Sequence, residues 1–99
     1  MALMEIKAFG MAWYDEADFV ELLKLFVDSE KLHRTYAEWR TAAEQGERQM
    51  TAQGMRVVRA YIRPKEFANW CKAEGLRPDA EARKRFANLA AFRSIKGSH

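Results

Sequence analysis

One cysteine, two prolines and five glycines are all this 99-residue chain has of the residues that staple, kink or loosen a backbone. The lone Cys71 cannot form an internal disulfide, so packing alone must hold the fold. Zinc has little to hold it for a related reason, since with His99 set aside in the tag-like ending Cys71 and His33 are the sole soft ligands and a site draws three or four. No cofactor is expected, because the glycines are scattered and none builds a phosphate-cradling loop. No apolar run approaches the roughly 20 residues a membrane-spanning helix needs. No internal repeat, low-complexity stretch or dividing linker is visible. Without a charged-then-apolar leader and with a single thiol, the expected compartment is a reducing cytoplasm.

What is present is the balance of a globular protein, 48% hydrophobic and 31% charged. One domain over residues 1–96 is expected, and Gly97-Ser98-His99 reads as the start of an expression-tag scar. The net charge of +3 hides a split. Residues 1–50 hold 6 Lys and Arg against 10 Asp and Glu, and residues 51–99 hold 11 against 4. Such halves attract each other within or between chains, or the basic one meets nucleic acid.

The alternation in "MEIKAFG" predicts a strand over residues 4–9, ended by Gly10. Asp15 then stands where a helix cap is wanted, with Phe19, Leu22, Leu23, Phe26 and Val27 recurring at helical spacing behind it. Thr35 followed by Glu38 satisfies the capping-box rule and starts a helix over residues 36–53, stopped by Gly54. Residues 55–63, "MRVVRAYIR", alternate as a strand with Val58, Ala60 and Ile62 toward the core and Val57, Arg59, Tyr61 and Arg63 away from it. Pro64 opens a third helix carrying Phe67, Trp70 and Cys71 on one face, and Gly75 closes it. Asp79 caps a last helix with Ala82, Phe86, Leu89 and Ala90 inward and Arg83, Lys84 and Asn88 outward. The fold class is α+β and mostly helical, in the order β-α-α-β-α-α. A two-stranded sheet is marginal, so a second subunit is expected to extend its edge to four strands.

The chemistry-bearing residues are few. Cys71 and His33 are the only plausible nucleophile-base pair for a triad-like arrangement. A buried cysteine is usually inert packing, and His33 lies among Asp28 and Glu30 as surface histidines commonly do. Asp15, Glu16 and Asp18 offer carboxylates for magnesium, yet acids at a helix start are explained by the helix dipole. The sharpest pattern is Arg59, Tyr61 and Arg63 on one strand face, which Lys7 and Phe9 could join and Lys65, Arg83 and Lys84 could extend. Cations beside aromatic rings on a sheet grip single-stranded nucleic acid. An antiparallel strand with one ordinary solvated face explains the same residues. The last two helices also resemble a helix-turn-helix, although Arg77-Pro78-Asp79 lengthens the turn and Asn88 is the sole outward base-reading side chain.

"WYDEADF", "TYAEW", "VVRAYIRPKEFANWC" and "DAEARKRFA" together resemble a set of small uncharacterised bacterial proteins. In these a tyrosine-x-x-tryptophan helix precedes a Gly-strand-Pro-helix unit ending in Trp-Cys, and the likeness covers residues 13–90. The resemblance implies no activity. The expected role is therefore a non-catalytic interaction module, homodimeric through an edge strand or helix face and able to take a protein partner. A nucleic-acid-binding accessory protein using Arg59, Tyr61 and Arg63 is the alternative, and a small enzyme using His33 or Cys71 is the third.

Overall fold

The computed structural model describes residues 8–96. Its elements are β1 (Ala8–Trp13), α1 (Phe19–Leu25), α2 (Tyr36–Ala52), β2 (Arg56–Tyr61), α3 (Pro64–Glu74) and α4 (Ala80–Lys96). The fold is α+β, mostly helical, in the order read from the sequence.

β1 and β2 form a two-stranded sheet with Gly10 opposite Val58 and Trp13 opposite Tyr61. The strands are parallel, which corrects the expectation of an antiparallel pair with one wet face. α1 and α2 carry the chain back to the end from which β1 set out, and parallel strands require such a crossover. Both faces are correspondingly covered. On one, α4 comes so close that a Cβ on Gly10 would meet the Ala87 carbonyl. On the other, Trp13 packs edge-on against Trp39 of α2, with ring centroids 5.2 Å apart.

β1 also lies later than expected. Residues 4–7 of the anticipated strand fall outside the described residues, and pairing continues through Gly10 to Trp13. Gly10 does not end the strand. Its missing side chain is what admits the backbone of α4.

The local punctuation mostly does what its chemistry dictates. The Glu38 amide donates to Thr35 Oγ1 at 3.2 Å, opening α2. Pro64 is the first residue of α3, and Gly75 closes it in the left-handed region at φ 69°. The Ala82 amide donates to Asp79 Oδ1 at 3.0 Å, opening α4. Asp15 behaves differently, making no cap bond before a 3-10 turn at Glu16–Asp18. Phe26 turns extended after α1, which breaks the helical phase and leaves Val27 48% exposed instead of buried.

The inner side of α4 needs the larger correction. Ala82, Ala87 and Ala91 are buried, Leu89 is 39% exposed, and Arg83 points inward with 7% of its surface exposed. Small residues at 87 and 91 let the helix approach the sheet, and this rotation turns Leu89 out and Arg83 in. The core beneath α1, α2 and α3 is largely aromatic, built on Trp13, Tyr14, Phe19, Phe26, Trp39 and Phe67. Burial pushes the Tyr14 hydroxyl up to about 12.

Candidate interaction surfaces

Arg59 stands on the β2 face that looks toward α2. Its guanidinium lies 3.9 Å from the Trp13 ring centre and donates from Nε and Nη2 to the two Glu47 carboxylate oxygens, each at 2.7 Å. This fork is the strong form of an ion pair, and it holds the Glu47 carboxyl below its ordinary value. Two positions on, Tyr61 is 43% exposed. Arg63 reaches back to Asp15 at 3.4 Å and Asp18 at 3.6 Å. Both arginines meet carboxylates of the acidic half.

Arg83 repeats the pattern in the core. It donates from Nη1 to Asp28 Oδ1 at 2.8 Å and from Nη2 to Asp28 Oδ2 at 3.1 Å, while stacking 4.4 Å over Phe26. The Ala80 amide donates to the same carboxylate at 3.1 Å, so Asp28 ties the α1–α2 connection to the start of α4. Its carboxyl is held below the usual range, first by the Arg83 hydrogen bond. Three arginines of the basic half therefore pair with acids of the other half within one chain. That accounts for part of the charge split without any partner.

The remaining candidates are dispersed. Lys65 is exposed beside Glu21, Lys24, Leu25 and Pro64, and Lys84 is exposed on α4. Phe9 is half-buried, and Lys7 lies outside the described residues. Cys71 is buried in α3, where desolvation pushes its thiol up. His33 is exposed in the α1–α2 connection, in a shallow depression of about 270 Å³ that Cys71 does not line. Among the described residues no group of three His, Cys, Asp or Glu side chains could hold a metal ion, so Asp15, Glu16 and Asp18 do not converge on one. No helix among them is long and apolar enough to cross a membrane.

A family sequence pattern matches residues 7–96, the whole of the described fold. The chain belongs to DUF8829, a domain of unknown function. No curated protein and no solved structure matches it.

Two surfaces of the DUF8829 domain were expected only in general terms, as an edge strand and a helix face, and the structure gives them residues. The first is the outer edge of β1. The Ile62 amide donates to the Trp13 carbonyl at 2.9 Å, so the Trp13 backbone faces β2, and strand alternation turns Phe9 and Met11 the same way. Ala8, Gly10 and Ala12 then direct their amides and carbonyls outward, where among the described residues no hydrogen bond reaches them. Over Ala8–Trp13 this strand carries no charge, whereas β2 carries Arg56 and Arg59. The second surface is the outer side of α4, with Leu89 39% and Phe92 59% exposed among Lys84, Arg85 and Arg93. The 85, 89, 92 spacing was its signal. Assigning Leu89 to the core concealed it.

Proposed function

We propose that the DUF8829 domain is a non-catalytic interaction module of the cytoplasm that self-associates through β1. Two copies meet edge to edge about a two-fold axis, β1 antiparallel to β1 of the partner, giving a four-stranded sheet. The observation that carries this reading is the uncharged outer edge of β1. Proteins that keep an edge strand single usually guard it with charge, a bulge or proline, and β1 has none of the charged or proline guards. A two-fold contact is self-complementary, and antiparallel pairing of a strand with its own copy satisfies that symmetry. Cys71, kept as a buried thiol, suits a reducing compartment.

The test uses proline as an edge block. Ala8 is the first residue of β1 and its amide is turned outward, so Ala8→Pro removes an edge donor without breaking the β1–β2 ladder. Sedimentation velocity is expected to show a wild-type dimer across the micromolar range and a monomeric Ala8→Pro of unchanged circular dichroism. A wild type that stays monomeric throughout that range sinks the proposal.

Support for the nucleic-acid reading is weaker, because Arg59 and Arg63 already face carboxylates. Short RNA and DNA oligonucleotides at low salt are expected to bind wild type and Arg59→Ala/Arg63→Ala alike, or not at all. Binding that collapses in the double variant and falls steeply with salt would reinstate it.

A further inference from the structure

Lys84, Arg85 and Arg93 differ from the arginines described above. Among the described residues none of the three lies in an ion pair, and all are exposed along the outside of α4. Between them stand Leu89 and Phe92, and Arg85, Asn88 and Leu89 line a shallow depression of about 300 Å³. Residues 85, 89 and 92 fall on one row of the helix surface, so apolar area and cationic rim form a single stripe. Glu81, one turn before Arg85, is the only exposed acid on this helix among the described residues.

We infer that the outer face of α4 docks an acidic amphipathic helix of a different protein. An apolar row covers Leu89 and Phe92, and flanking carboxylates meet Lys84, Arg85 and Arg93, which is the helix-on-groove mode of peptide recognition. A second copy offering the same face is disfavoured, since a two-fold contact sets these cations against cations. A nucleic-acid backbone answers the charge but supplies no apolar row to meet Leu89 and Phe92. This surface lies on a different element from the β1 edge, and the two proposals stand or fall separately.

The probes are a synthetic five-turn helical peptide with a leucine row flanked by glutamates, its glutamine-for-glutamate counterpart, single-stranded RNA and duplex DNA. In fluorescence anisotropy at low salt the glutamate peptide is expected to bind about tenfold tighter than the glutamine one, the sum of a few exposed charge pairs. Added salt should shrink that ratio, and Arg85→Glu/Arg93→Glu should remove it. Phe92→Ser should weaken both peptides. The substituted side chains are exposed, so circular dichroism and the sedimentation behaviour of wild type should be retained. Equal binding of the two peptides, or binding of neither, overturns the inference. So does RNA or DNA binding that Arg85→Glu/Arg93→Glu abolishes while the glutamate peptide fails to bind.

Discussion

Gly10→Ala is expected to destabilise the protein by about 3 kcal/mol, the upper end of what an inserted methyl costs in a packed interior. The added Cβ would fall on the Ala87 carbonyl and lie 3.0 Å from the Asn88 amide nitrogen. These are backbone atoms of α4, with no flexible side chain able to give way, so the whole helix must lift from the sheet. Trimming the neighbour should not help. Gly10→Ala/Ala87→Gly is expected to remain at least as unstable in urea unfolding as the single variant, because the Ala87 methyl is not what the new atom strikes. Gly46→Ala gives the contrast. There the added Cβ meets only Met11 Cε, at 3.2 Å, and alanine is favoured over glycine inside a helix by about 1 kcal/mol. A neutral or stabilised Gly46→Ala beside a crippled Gly10→Ala would locate the close contact at β1 and α4. Equal effects would refute it.

The second large effect is expected at Asp28. Removing one member of a buried ion pair leaves the other charge without compensation, and Asp28→Ala should cost about 3 kcal/mol for that reason. The Ala80 amide loses its acceptor in the same variant. Replacing both partners, as Asp28→Ala/Arg83→Met, should recover much of the loss, since methionine can keep the packing on Phe26. The pH dependence follows from the depressed Asp28 carboxyl. In the folded chain it titrates below its ordinary value of 3.8, so its contribution is complete above that value and fades as pH falls through the lower, folded one. Glu47, held down by Arg59 from an ordinary 4.5, acts in the same sense. Urea midpoints of wild type should therefore drop in acid, and those of Asp28→Asn should drop less. A wild-type advantage over Asp28→Asn that persists undiminished well below the ordinary carboxylate range would show that Asp28 contributes through shape and not through charge.

The contrast between Thr35 and Arg83 explains what was legible in the sequence. Thr35, Pro64, Gly75 and Asp79 act on backbone groups within a few residues of themselves, so their spacing alone foretells the ends of α2, α3 and α4. Element order followed from the same local rules. Arg83 depends on Asp28, across most of the chain, and no periodicity announces that a cation on an alanine-rich helix has a buried acid waiting. Gly10 failed for the same reason. In sequence it looks like a strand terminator, and only the arrival of α4 makes it a close-packing position. Arg59 and Tyr61 were legible as one strand face, whereas Arg63 falls beyond the end of β2 and holds the N-cap position of α3, and the Glu47 and Asp15 carboxylates that meet the two arginines come from elsewhere in the fold. Leu89 was misplaced because an apolar stripe fixes a helix face only to within the width of a side chain, and the small Ala87 and Ala91 moved it.

The parallel crossover also sets an order of events during synthesis. β1 leaves the ribosome first, yet β2 emerges only after α1 and α2, and the helix that seals the Gly10 side comes last. The nascent domain must carry an uncharged strand unpaired until β2 has emerged, a period in which aggregation and chaperone capture compete with folding. A transcript truncated before α4 would release a polypeptide with a strand pair but no lid over one side. Such fragments should be degraded or precipitate, and the sheet should become protected only once α4 has emerged.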